Sequence, residues 1–411
     1  MKKLLYLSSY IIFSFFYLIG CSSLYSNYRE AEQLLLIEAI GVDASPTGVR
    51  LTLAPAAASE QRDTPPLIQA QGLTLAAAFQ QARTLCTEKE LFFSPVNAVL
   101  VGREAADAHI EEILSYICQS PFLRSNLPVY ILRDISASQC MEQLMNARQS
   151  AADQLQGITS QLRAHGPVQC YSASDLLCSH LRRDSSLACA LVLTSAETQD
   201  SDTKPEQSPS ETASMTGSSD AAQTGETSPA PQAKSLAVSG YGIFREGRLL
   251  RFLNADQSLG ASLLLNRLGV SSISVTDPHG NPAVLELSDC SCSILPVWSR
   301  EGQLTRLDVA VSLSCSAAQL EQGGDLTDAE YSSALTSILD AYVADCIGEV
   351  LRISSRSQAD FLSLSSSVEQ DAPLLFRHLE GSFPQLLSQT EFHIAVHSQL
   401  IHANDLKEIL L

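Results

Sequence analysis

The chain has 411 residues, of which 45% are hydrophobic, 17% charged and 6% aromatic. That is enough apolar material for two or three packed domains, and too much for a chain disordered throughout. With 26 Lys and Arg against 45 Asp and Glu the formal net charge is −19, which excludes a cationic surface for nucleic acid and requires that any membrane attachment use a device other than a basic face.

Met1-Lys2-Lys3 precedes an uncharged, mostly apolar run from Leu4 to Ile19. The run is short of the ~20 residues of a spanning helix and has the layout of a secretory signal peptide, residues 1–20. Leu18-Ile19-Gly20-Cys21 reads as a bacterial lipobox. The small Gly20 admits the peptidase, and the Cys21 thiol is the nucleophile that accepts a diacylglyceryl group. Two acyl chains give stable anchoring where one is marginal. Loss of Lys2 and Lys3 with the signal takes the net charge from −19 to −21.

Residues 34–43 and 49–53 read as two strands of a hairpin about the turn Ala44-Ser45-Pro46-Thr47-Gly48. Thr74 caps a helix whose Leu75, Phe79, Ala82 and Cys86 recur at helical spacing. A buried strand over 96–101, a helix with Ile110, Ile113, Leu114 and Ile117 on one face, and a strand over 127–132 follow. Ser136-x-x-Gln139 is a capping box for a helix carrying Met141, Leu144 and Met145. Helical patterns over 149–163 and 173–182 and an apolar strand over 187–194 complete an N-terminal α+β domain, residues 21–196.

Residues 197–235 hold no large apolar side chain except one Met. Seven acids (Glu197, Asp200, Asp202, Glu206, Glu211, Asp220, Glu226) against Lys204 and Lys234 give a net −5. Such a stretch buries too little to offset its ordering entropy, and is expected to be a disordered acidic linker. From residue 236 to 411 a C-terminal α+β domain is expected, with a subdivision near 270. Its elements are a hairpin over 239–253, a helix over 258–268, and strands at 273–275, 284–287 and 307–313. Then come a long helix capped by Thr327-x-x-Glu330, a helix near 372–379 and a final strand over 391–401. The alternating strands of this half point to an antiparallel sheet.

Chemistry is sparse. The chain carries no GxSxG, GxxxxGK[ST], HExxH or GxGxxG in the required context. His393 and His397 fall on the polar face of a strand, about 13–14 Å apart at ~3.4 Å per residue, too far to share one ion. Cys290 and Cys292 lie on one strand face, and Cys170, Cys178 and His180 lack a partner CxxC. Glu111-Glu112 reads as a solvated helix face. Of eleven cysteines, ten remain after Cys21 is acylated. Cys86, Cys118, Cys189, Cys315 and Cys346 sit on apolar faces or in apolar runs and read as small buried thiols. No catalytic, cofactor-binding or metal-ligating residue is assigned. The one site residue is Cys21, as the lipidation site.

Several segments resemble the Ger(x)C or GerAC-like family, the C-subunit lipoproteins of spore germinant receptors. They are Arg29-Glu30-Ala31-Glu32-Gln33 through Ile40-Gly41-Val42-Asp43, then Glu90 to Gly102, and Phe122-Leu123-Arg124-Ser125-Asn126. Gly242 to Leu249, Gln358-Ala359-Asp360-Phe361 and residues 391–400 continue the pattern. The family's Trp-Asp pair after the lipidated cysteine is Ser22-Ser23 here, and Phe376 or Phe383 replaces a later Trp. The resemblance implies an α+β, multi-domain fold of mixed sheets flanked by helices. It implies a non-enzymatic receptor subunit, lipid-anchored on the outer face of the spore's inner membrane, that acts in assembly or signal relay. Implied partners are an integral-membrane A-type subunit and a transporter-like B-type subunit. A substrate-binding lipoprotein of an ABC-type importer is the alternative; it requires two α/β lobes with repeated parallel units.

Overall fold

The apolar run after residue 33 forms β1 (Leu34–Ser45), which a Pro46-Thr47 turn folds back onto β2 (Gly48–Pro55). Both belong to the first of two sheets in the computed structural model, which describes residues 10, 13–15, 31–56, 66–146, 150–164, 166–195, 234–320 and 326–401. The first sheet also contains β3 (Ile68–Gly72), β4 (Glu90–Phe92), β5 (Ala98–Val101), β6 (Val129–Leu132), β7 (Ser185–Ser195), β8 (Lys234–Arg245) and β9 (Arg248–Phe252). Its order is β3-β2-β1-β5-β6-β7-β8-β9, with β4 beside the start of β1. The central pairings β1/β5, β5/β6 and β6/β7 are parallel, and the flanking ones antiparallel.

Helices cover both faces of the centre. On one face α1 (Leu75–Leu85), α2 (Arg103–Gln119) and α5 (Ala173–Arg183) meet Ile40, Val42, Val99, Val101 and Ile131. On the other, α3 (Ala137–Asn146) and α4 (Ala151–Ala164) meet Ala39, Leu100, Tyr130 and Leu132. Every residue of β5 and β6 is therefore buried, which explains why AVLV and VYIL are unbroken apolar runs rather than alternating ones.

The second sheet, order β10-β11-β12-β13, comprises β10 (Ser271–Thr276), β11 (Pro282–Trp298), β12 (Leu304–Leu320) and β13 (Glu391–Leu400). It packs one face on α6 (Ala255–Leu264) and the 29-residue α7 (Ala329–Ser357), with α8 (Leu364–Asp371), α9 (Pro373–Leu379) and α10 (Phe383–Leu387) beyond. The fold is α+β with mixed sheets flanked by helices.

Several expectations change. The second sheet is not wholly antiparallel, because β13 runs parallel to β12. The long α7 carries the chain back along the sheet, so β13 enters in the same direction as β12. Asp328, not Thr327, is the N-cap of α7, its carboxylate accepting the Glu330 amide at 2.9 Å. The short strands β3 and β4 carry no long alternating pattern and were not legible. Lys234 and Ser235, read as the end of the acidic stretch, begin β8; Ser195 pairs with Lys234 across it. The strands on either side of residues 196–233 are thus hydrogen-bonded neighbours in one sheet. Cys21 and residues 197–233 of the acidic segment lie outside the described residues.

Candidate functional site

Two of the segments that carry the family resemblance meet in space, since Gly102 donates its amide to the Val42 carbonyl and lies against Asp43. Asp43, at the end of Ile40-Gly41-Val42-Asp43, is buried against the start of α3. Its Oδ1 accepts the Ala137 amide at 2.7 Å and its Oδ2 accepts the Ser138 amide at 2.8 Å. Ser136 Oγ accepts the Gln139 amide at 3.2 Å, the half of the expected capping box that is seen here. A carboxylate 93 residues upstream of that serine completes the cap, satisfying amides that have no partner within the helix.

Two glycines make this possible. A Cβ on Gly102 would lie 2.2 Å from Asp43 Oδ1. One on Gly41 would lie 3.0 Å from the Ala137 Cβ and 3.3 Å from the Met141 side chain. Gly41 and Gly102 are therefore set by close approach, because neither has positive φ. Asp360 repeats the device. It is 2% exposed; its Oδ1 accepts the Leu364 amide at 2.7 Å and its Oδ2 the Ser365 amide at 3.0 Å, capping α8. Burial pushes its carboxyl up to about 6, against the lowering effect of those donors and of Arg183. These motif aspartates hold helices in place.

The other residues singled out for chemistry stay apart. His393 and His397 lie exposed on β13, as expected, with His393 Nδ1 3.8 Å from Asp308. A bulge at residues 289–290 interrupts β11 just before Cys292, whose carbonyl accepts from the Asn266 side chain at 2.8 Å. His180 faces Glu111 at 3.7 Å, while Cys178 lines a different pocket. Glu112 is more than a solvated face, since it accepts the Leu75 amide at 3.0 Å and so caps α1. Among the described residues no group of three or more His, Cys, Asp or Glu is placed to hold a metal.

All ten described cysteines are free thiols. Cys189, Cys315 and Cys346 are buried as expected, and so is Cys140; Cys86 and Cys118 are half-buried. Burial holds the Cys189 thiol well above its ordinary range and pushes Cys140 and Cys346 up to about 12. Thiols so shifted stay protonated and are poor nucleophiles.

A groove of about 1230 Å³ opens where the chain enters β1. Gln33 and Leu34 form one wall, and β4, running parallel to Leu34–Leu36, forms another. The loop after α1 and the loop after α2 close it. Phe92 and Phe122 stand 40% and 51% exposed there. The Arg83 guanidinium lies 4.2 Å over the Phe122 ring, and Arg124 donates to the Val96 carbonyl at 2.6 Å. Gln33, Glu90 to Ser94 and Phe122 to Arg124 belong to segments that carry the resemblance, but nothing in their pattern marked them as one groove. A further sign is the closeness of aromatic side chains to Arg and Lys in 83–93 and 122–124.

Comparison with known proteins gives two family matches in chain order. Residues 27–185 match the spore germination protein N-terminal domain, and residues 239–404 match the "Spore germination B3/GerAC like, C-terminal" domain. The crystal structure of the GerBC protein is similar in fold, with a TM-score of 0.50 at 14% identity. The match covers 88% of this chain and 96% of that one. A search of curated proteins gave no match.

Proposed function

The chain belongs to the GerAC-like family of spore germinant-receptor C subunits, and from that premise we propose that it is a lipid-anchored, non-enzymatic subunit of a nutrient receptor, acting in receptor assembly or signal relay. The observation that carries this reading is the pair of family matches, which lie in order and together span most of the chain. The lipobox ending at Cys21 supplies the anchor. It stands six residues before the first match begins. Among the described residues no helix is long and apolar enough to cross a membrane. The partners are an integral-membrane A-type subunit and a transporter-like B-type subunit, on the outer face of the spore inner membrane. The importer reading is disfavoured by the two unlike sheets, nine strands and four, in place of two similar lobes.

Affinity capture of the full chain from membranes of sporulating cells tests the proposal. Recovery of two polytopic proteins is expected, with mature-sized protein in the membrane fraction. The Cys21→Ala variant should be misprocessed or released. Recovery of a permease with an ATPase instead would overturn the reading.

A further inference from the structure

We propose that the groove at the start of β1 is a membrane-docking face, which seats on the anionic interfacial layer of the bilayer and fixes the orientation of the molecule above it. The inference rests on the proposed lipidation of Cys21 for proximity, and on the groove for chemistry.

Among described residues 31–401, the two phenylalanines that are exposed both line this groove. Leu85 and Leu36, 56% and 41% exposed, adjoin it. Leu85 precedes the lining residue Cys86, and Leu36 pairs with Phe92 across β1 and β4. Large apolar side chains gathered at one exposed place mark an interaction site. The charge around them is reversed relative to the molecule: Arg83, Lys89 and Arg124 oppose Glu88 and Glu90, a local +1 on a chain of −19. Arg and Lys stems beside aromatic rings, with Arg83 stacked on Phe122, form the composition of the membrane–water interface. A bilayer offers anionic headgroups to the cations and acyl boundary to the rings.

Chain length places the groove within reach of the bilayer, and the rim charge and exposed rings match its interfacial layer. Gln33 lines the groove, and the twelve residues after Cys21, Ser22 to Gln33, reach at most about 40 Å when fully extended. The proposed acyl anchor therefore keeps the entry to β1 within about 40 Å of the lipid surface. Tethering raises the local concentration enough for a weak, local contact to be populated.

The test uses the full, processed chain in vesicles of equal parts phosphatidylglycerol and brominated phosphatidylcholine. Trp298 is the chain's single tryptophan and provides the baseline. In the Phe122→Trp or Phe92→Trp variant, bromine quenching of the added tryptophan should exceed that baseline by roughly twofold or more. Arg83→Gln with Lys89→Gln, or replacement of the phosphatidylglycerol by phosphatidylcholine, should reduce it. Mass spectrometry of the N-terminal peptide separates the two readings. Acylated Cys21 without quenching at either position overturns the docking face and leaves the anchor standing. If Cys21 carries no acyl chain the anchor falls, and quenching when vesicles are added to the free chain still decides the face. Position 122 quenched only when a partner membrane protein is present overturns the proposal in favour of a protein interface.

Discussion

Asp43 acts on α3 through two amides, and the carboxylate and the helix start are both buried. Asp43→Ala is expected to cost about 2–4 kcal/mol of unfolding free energy, and Asp43→Asn, which keeps one acceptor, roughly half that. Gly102→Ala should also destabilise, by about 1–3 kcal/mol, since its methyl group meets Asp43 Oδ1. In an Asp43→Ala background that second penalty should largely vanish. Urea melts of the four combinations check this coupling, and additive losses would refute it. Asp360 makes a pH-dependent contribution. Its carboxyl titrates at about 6 in the folded chain and near ~3.9 when unfolded. The folded state keeps a proton that the unfolded chain has released, so this group's stabilising contribution is complete below about pH 4 and is lost as pH rises through about 6. Asp360→Asn does not titrate. The stability of the native chain relative to that variant should therefore fall by about 2–3 kcal/mol between about pH 4 and about pH 7. Paired urea melts across that range measure it, and a flat difference would show that the carboxyl is not shifted.

At the scale of elements, β7 and β8 form a hairpin whose connection is residues 196–233. Closing a long loop costs little more than closing a short one, about 0.6 kcal/mol per doubling. Replacing 196–233 by a four-residue turn is therefore expected to leave the melting temperature unchanged or to raise it, with a gain of no more than about 2 kcal/mol. A marked drop, read by thermal melts of the two forms, would mean that the segment contributes packing. Element types were mostly legible: Thr74 caps α1, and Ile110, Ile113, Leu114 and Ile117 face inward on α2. The misses share one cause. Strands β3 and β4 are five and three residues long, too short for a period to register, and pairing with β2 and β1 defines them. The direction of β13 depends on where α7 delivers the chain, which residue alternation does not encode.

For the whole molecule, the opening charge of −19 acquires a distribution. Its sign made attachment by a basic face untenable and pointed to the lipobox. With a local +1 at its rim, the groove is where the proposed docking would bring a strongly acidic chain against an anionic surface. Composition, the lipobox, the order of strands and helices and the family resemblance were all present in the linear chain, because each is a local pattern of neighbouring residues. Tertiary structure alone showed that Asp43 is a helix cap, that Gly41 and Gly102 are glycines because of what approaches them, and that the acidic segment joins two paired strands. It alone gathered Phe92, Phe122, Arg83 and Arg124 around the point where the chain enters β1. Each of these is a contact between residues far apart in sequence, and such contacts exist only once the sheet order has brought their elements together.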